Sequence, residues 1–399
     1  MAFESKYVRT VSSNNAELWR KLASKLTHLD MELTERCNND CVHCLINRPQ
    51  HDAEAQAAEL RTDEIKQILK QAAALGCFKV RFTGGEPLLR PDFNEIYLYA
   101  KRLGLKVLIF TNATLINDDL IQLWRHYPPG ETIEVTVYGM TQTSYEAVSR
   151  VRGTFQAAFR GMELLLQNNI PFVVKSAFLP QNRDDVQRFE AWCQSIPWMD
   201  KPPRYAMFLD LRSRHDSESR NARITSLRVS PQEGLSLLTR DAESYKQGMR
   251  DFCEKFTRPP GDKLFVCGAG HKGGTVDAYG RFQMCMLLRH PDFTYDLRSG
   301  SLEDALDHVF PQFLETRAQN SEYLQKCAKC FLKGMCEQCP AKSWSEHGTL
   351  DTPVSYLCEV THAQARYLGL LEDGEFSWQV ENWQERLDAF IQETKSNKT

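Results

Sequence analysis

The chain has 399 residues, 42% hydrophobic and 25% charged, with a net charge of −3. That balance is ordinary for a globular protein and excludes a bulk phosphate-binding surface, which needs a basic excess. No run approaches the ~20 apolar residues that span a bilayer, and MAFESKYVRTVSSNNAELWRKL lacks the apolar core of a secretory signal. A cytoplasmic protein with no nucleic-acid and no membrane partner is therefore expected.

From residue 28 to 211 short apolar runs alternate with stretches of helical spacing. The runs are LDMELT, FKVRFT, LKVLIF, IEVTVY, FVVKSAFL and RYAMFLDL; the helical stretches include TDEIKQILKQAAAL, PDFNEIYLYAKRL and FQAAFRGMELLLQNN. Thr62 and Asn117 stand at helix-cap positions, each followed by acidic residues that suit a helix N-terminus. Six such units predict an α/β fold with parallel strands, either an open partial barrel or a doubly wound sheet. In both, functional loops lie at the C-terminal ends of the strands. The segment LRSRHDSESRNARITSLR, dense in charge and serine, reads as a solvated linker or exposed flap more than as a binding surface.

Thirteen cysteines in a reducing compartment argue for metal more than for disulfides, and the number is odd. Cys37, Cys41 and Cys44 form CNNDCVHC directly after the first predicted strand. Three thiols on one loop fit either a zinc that recruits a distant ligand or a [4Fe–4S] cluster whose fourth iron stays open. Cys267, Cys285, Cys327, Cys330, Cys336, Cys339 and Cys358 follow in a Cys- and Gly-rich region of residues 255–365. Such a region is short of apolar core and looks held by metal. Cys77 and Cys193 read as small core residues.

The C-x3-C-x2-C loop after the first strand resembles the radical S-adenosylmethionine (SAM) enzymes. A second motif supports the resemblance: RFTGGEPLLRPD follows the second strand and supplies Gly84, Gly85, Glu86 and Pro87. The resemblance implies a partial (β/α)6 TIM-like barrel in which the open iron binds SAM. It also implies that GGEP grips the SAM amino group. It further points to Thr111 and Asn112 at the end of the third strand, Thr136 at the end of the fourth, and Arg152 for the SAM carboxylate.

The later cysteines resemble the SPASM extension of this family, which carries two auxiliary [4Fe–4S] clusters, although C-x2-C replaces the family's final C-x3-C. The family's interleaved ligation would give Cys267, Cys285 and Cys339 to the first auxiliary cluster. It would give Cys327, Cys330, Cys336 and Cys358 to the second. The fourth ligand of the first is either Cys253 or an open site. The expected organisation is an N-terminal extension (1–27), barrel (28–211), linker and bridging helix (212–254), SPASM lobe (255–365) and amphipathic helical tail (366–399).

The resemblance implies reductive cleavage of SAM to a 5′-deoxyadenosyl radical, hydrogen abstraction from a peptide or protein substrate, and an oxidative crosslink such as a thioether or C–C bond. An electron donor such as flavodoxin or ferredoxin is implied as a partner. Met286 follows Cys285 where sulfatase-maturing relatives place a catalytic Asp, which argues against that activity. The residues before the first strand are too few for a winged-helix leader-binding domain, so a separate leader-binding protein or the barrel surface would take that role. Alternatives are a small-molecule substrate in cofactor biosynthesis, or a non-enzymatic zinc or iron–sulfur scaffold. Tyr138, Lys175 and Cys253 are candidate acid, base or hydrogen donors that read equally well as barrel lining, a packed strand residue and a buried thiol.

Overall fold

Alternation along each strand separates two faces, and the computed structural model, which describes residues 24–392, shows what each face meets. Residues 1–23 of the expected extension and 393–399 of the expected tail lie outside the described residues. Six strands run parallel: β1 (His28–Thr34), β2 (Lys79–Gly84), β3 (Lys106–Thr111), β4 (Gly130–Thr136), β5 (Phe172–Ala177) and β6 (Arg204–Ala206). Their order in the sheet follows their order in the chain. A doubly wound sheet reverses direction at a switch point; this one winds one way and forms the partial barrel.

Leu29, Met31, Leu33, Val80, Phe82, Val107, Ile109, Ile133 and Val135 are buried in one cluster with Ile65, Ile96 and Trp124 of the covering helices. The intervening residues Asp30, Glu32, Arg81, Phe110, Glu134 and Lys175 therefore point to the other face, the barrel interior. Asn117 caps Asp118–His126, its side chain accepting from Leu120 N at 3.0 Å. The other expected cap moves by one residue. Arg61 holds the cap position of Thr62–Ala74, its N–H donating to Glu64 at 2.8 Å, while the Thr62 hydroxyl donates to Asp92 at 2.6 Å.

The barrel does not end at β1. A strand β7 (Gly273–Val276) pairs parallel with β1, and antiparallel β8 (Arg281–Gln283) and β9 (Thr294–Asp296) extend the sheet to nine strands. The Cys-rich region thus grows from the barrel's own edge. It also contains more helix than its composition predicts, in Pro340–His347 and Ser355–Tyr367. Helix Trp383–Gln392 buries Leu387 and Phe390 against Cys253, Leu332 and Leu370. Among the described residues no helix is long and apolar enough to cross a membrane.

Phe82 is fully buried at the centre of the sheet and meets Phe93 edge-to-face, with centroids 6.3 Å apart. Phe82→Ala should cost about 3–5 kcal/mol, read as a lower urea midpoint with an unchanged m-value.

Candidate functional site

The loop after β1 is held from both sides by backbone. Arg36–Cys37 pairs in parallel with Arg48–Pro49, pinching the loop's base. Asp40 N and Val42 N donate to the carbonyls of Ser149 and Val148 at 2.9 and 3.0 Å, anchoring the loop to the end of helix Gln142–Ser149. Cys44 N returns to Cys41 O at 3.1 Å, so the last two thiols share a tight turn. Asn39 N points at Cys37 Sγ at 3.4 Å, and Asn112 Nδ2 approaches the same sulfur at 3.8 Å.

Cys37, Cys41 and Cys44 are free and half-buried. Burial and a neighbouring thiol push the Cys37 and Cys41 thiols well up, which disfavours unliganded thiolates. Burial also lowers His43 to about 4, leaving it neutral, and its Nδ1 has no partner among the described residues. Both amide atoms of buried Asn39 are likewise unpartnered. No three of His, Cys, Asp or Glu among the described residues form a group that could hold a single metal ion. Three thiols on one loop, an N–H aimed at sulfur, and unpartnered polar atoms fit a larger, thiolate-held cluster.

The GGEP turn lies directly against this loop. A Cβ on Gly84, whose φ is +130°, would stand 2.0 Å from Thr34 O, and one on Gly85 would stand 2.2 Å from Arg36 O. The glycines therefore serve close approach to the protein's own backbone, sealed by Gly85 N to Thr34 O at 2.7 Å and Glu86 N to Arg36 O at 2.9 Å. Glu86 is fully buried and accepts from Thr111 Oγ1 and Asn112 N at 2.8 Å each and from Leu88 N at 3.1 Å. Burial raises it to about 7 despite these bonds. Asn112 Nδ2 then donates to Asn38 Oδ1 at 2.9 Å, so GGEP, the end of β3 and the cysteine loop form one hydrogen-bonded body.

The segment expected to be a solvated linker is part of the same body. Arg212 and Ser213 are 3% and 2% exposed. Arg212 reaches Cys44 O at 3.4 Å and Asn47 Oδ1 at 3.3 Å, and Arg220 reaches Asn47 Oδ1 at 2.7 Å. Arg214 donates to Glu35 at 2.7 Å and to Asp277 at 3.0 Å. Arg289 donates to Glu35 at 2.8 Å and also to Glu32, while Tyr279 OH donates to Glu35 at 2.9 Å. Charge density on a sequence reads as solvation; here Arg212, Arg214 and Arg220 each reach a buried partner distant in the chain.

The later cysteines sort into two cavities. Cys327, Cys330, Cys336 and Cys358 line one of about 180 Å³. Cys267, Cys285 and Cys339 line another of about 740 Å³, and Cys336 borders both. Backbone N–H groups two residues on point at Cys285 Sγ (3.3 Å from Leu287 N) and Cys336 Sγ (3.4 Å from Gln338 N), as at Cys37. Cys253 lies in neither: it is 1% exposed inside the tail's apolar cluster. It is not among the residues that line the larger cavity. Cys77 and Cys193 are buried in the main core.

Residues 31–193 match the Radical SAM superfamily. They form a radical SAM domain. The chain is 31% identical over 157 residues to an AdoMet-dependent heme synthase of Methanosarcina barkeri, covering 39% of this chain and 44% of that protein. The chain therefore spans less than half of that relative's length. It is 24% identical over 340 residues to the antilisterial bacteriocin subtilosin biosynthesis protein AlbA of Bacillus subtilis, covering 79% of this chain and 67% of AlbA. Streptococcus suis SuiB, solved with its precursor peptide SuiA, shares the fold at a TM-score of 0.60 and 16% identity, over 84% of this chain and 76% of SuiB.

Within the radical SAM domain, Thr111 and Asn112 join the cysteine loop through Glu86. Thr136 ends β4, in register with Lys175. Arg152 is exposed and makes none of these contacts; Arg150 is the one that reaches the loop, 3.5 Å from Asp40. Tyr138 packs edge-on to His43 at 5.8 Å beneath the loop. Lys175 lies over the Phe110 ring at 3.6 Å and pairs with Glu134 in the barrel interior. Arg212, Arg214, Arg220, Glu35 and Arg289 also belong to this body, although no local sequence pattern marks them.

Two tests follow from this geometry. Gly85→Ala should lower the melting temperature of the metal-free protein by several degrees, because its Cβ meets a fixed carbonyl; Gly248→Ala, in an open helical position, should leave it unchanged or slightly higher. Removing Arg289 leaves Glu32 without its cationic partner and takes one of two guanidiniums from Glu35, and Arg289→Met should cost about 3–5 kcal/mol. Burial already raises Glu32 to about 7, so its folded form favours the proton, and stability from this group is lost as pH rises through that value. The deficit of Arg289→Met against wild type in urea should therefore grow from pH 6 to pH 8.

Proposed function

We propose that the chain is a cytoplasmic radical SAM enzyme that oxidatively modifies a peptide, with two auxiliary clusters in its C-terminal lobe. The observation that carries this reading is the division of the seven later cysteines between two adjacent cavities, beside a separate three-thiol loop. Cys37, Cys41 and Cys44 would hold the core [4Fe–4S] cluster. Cys327, Cys330, Cys336 and Cys358 would hold one auxiliary cluster, and Cys267, Cys285 and Cys339 would contribute to the other. When bound, the core cluster and SAM supply the electron and the 5′-deoxyadenosyl radical that take hydrogen from an unactivated carbon.

The chain's own part is to hold, orient and shield. The GGEP turn with Thr111, Asn112 and Thr136 would flank SAM, the carbonyls of the turn serving its amino group while Glu86 keeps the turn rigid. Arg152 would meet the SAM carboxylate from the exposed side. The barrel interior offers a polar substrate several buried atoms that have no partner among the described residues: Glu32 Oε2, Thr275 Oγ1, Gln283 Oε1 and Arg289 Nε. A peptide, with amides to satisfy, suits that face better than an apolar ligand does.

The AlbA alignment, which extends over 79% of the chain, favours a peptide substrate and a crosslink such as a thioether or C–C bond. The heme synthase alignment, confined to 39%, favours the second reading, a small molecule in cofactor biosynthesis. A flavodoxin- or ferredoxin-type donor would deliver electrons, and a separate protein would present the leader where one is needed.

Anaerobically purified protein should carry about twelve irons, three clusters of four. Cys41→Ala should retain about eight and form no 5′-deoxyadenosine from SAM under reductant. Undiminished 5′-deoxyadenosine from that variant would overturn the assignment of the loop. Mass spectrometry of a coexpressed candidate peptide should show loss of two hydrogens per event, whereas an unmodified peptide beside an altered small metabolite would favour the second reading.

A further inference from the structure

Four cysteines border the larger cavity, but Cys336 also lines the smaller one, where it completes a set of four with Cys327, Cys330 and Cys358; that leaves Cys267, Cys285 and Cys339 for a [4Fe–4S] cluster that presents four irons. Resting on the reading of this cavity as an auxiliary cluster site, we propose that His271 is the fourth ligand. His271 lines the same cavity as Cys267, Cys285 and Cys339. It lies four residues after Cys267 on a turn closed by His271 N to Gly268 O at 3.4 Å. Gly270, within that turn, has φ +75° and packs so closely that a Cβ would stand 2.8 Å from the Met284 side chain. Met284 immediately precedes Cys285. The turn carrying Cys267 and His271 is thus pressed against the segment carrying Cys285, and a residue other than glycine at 270 would hold the two apart.

The other donor-bearing side chains around the cavity are already committed. Glu337 pairs with Lys342, which also binds Asp210 at 2.9 Å. Gln338 donates to Ser343 Oγ at 2.7 Å and accepts from Val354 N at 2.9 Å. Lys333 and Arg258 are cationic and donate to backbone carbonyls. Cys253 does not line the cavity; it packs with Leu332, Leu370 and Leu387. Among the described residues that line the cavity, the imidazole of His271 is a nitrogen-bearing side chain with no hydrogen bond or ion pair to another described residue, and imidazole is a good iron ligand. Replacing one thiolate by a neutral ligand makes the cluster less negative, so it should be easier to reduce than an all-cysteine cluster.

The test uses full-length protein in which Cys37, Cys41 and Cys44 are all changed to Ala, reconstituted anaerobically and reduced, so that only the auxiliary clusters contribute. About eight irons are expected, with a directly coordinated nitrogen coupling in pulsed EPR that changes on 15N-histidine labelling. Adding His271→Cys should abolish that coupling, keep the iron, and lower one reduction potential. His271 is exposed on a surface turn, so the substitution leaves the fold intact. Eight irons without a coordinated nitrogen, or a coupling that survives His271→Cys, would overturn the ligand assignment and leave the cluster reading in place. About four irons, with Cys285→Ala causing no further loss, would overturn the cluster reading of this cavity and the ligand assignment with it.

Discussion

Glu35, 1% exposed at the end of β1, receives Arg214, Arg289 and the Tyr279 hydroxyl together. The rest of the site depends on this convergence. A buried carboxylate without partners is prohibitively costly, and the guanidiniums that satisfy it come from the segment after the barrel and from the Cys285 hairpin. The chain therefore reaches its stable state only when the barrel, the 212–220 segment and the C-terminal lobe are docked as one body. Asp277 joins Arg214, and Glu32 joins Arg289, giving three carboxylates to two guanidiniums. The surplus negative charge adds to the burial that lifts Glu32 toward neutrality.

This docking places the three-thiol loop and the thiol-lined cavities in a defined relation without a covalent link. Cys37 lies two residues beyond Glu35; Cys285 lies four before Arg289. On the proposed reading of these cavities as cluster sites, the distance between them would govern electron transfer. A network of buried ion pairs is a stiff way to set such a distance, since breaking one partner strands the others. The sheet adds to it: β7 pairs with β1 along four residues, so the lobe's first strand is fixed in register with the strand that feeds the cysteine loop.

Close approach is the second organising device. Gly84 and Gly85 let the end of β2 press on Thr34 and Arg36, and Gly270 lets the Cys267 turn press on Met284. In both places the absent Cβ is used against the protein's own atoms, and the benefit to a ligand is indirect: a rigid loop in the right position. Glu86 has a similar role. Its carboxylate is spent on Leu88, Thr111 and Asn112, so the acidic residue of the motif acts first as a keystone of the turn.

The local patterns told much on their own. Six alternating apolar runs specified parallel β/α units, because side-chain period in a strand is a property of a few consecutive residues. The spacing of Cys37, Cys41 and Cys44 and of GGEP marked the chemistry, because a cluster-binding loop and a close-packed turn are both local constructions. Tertiary structure decided what depends on residues far apart in the chain. It chose winding in one direction over a reversed sheet, and it joined the Cys-rich region to β1 as three further strands. It turned the start of LRSRHDSESR from a solvated flap into a clamp, with Arg212 and Ser213 buried and Arg214 paired to Asp277, since an arginine looks the same in sequence whether it meets water or a carboxylate sixty or more residues away. It also moved Cys253 into an apolar core and brought His271 to the cysteines instead, a choice made by packing around Gly270 and Met284 that no spacing of cysteines encodes.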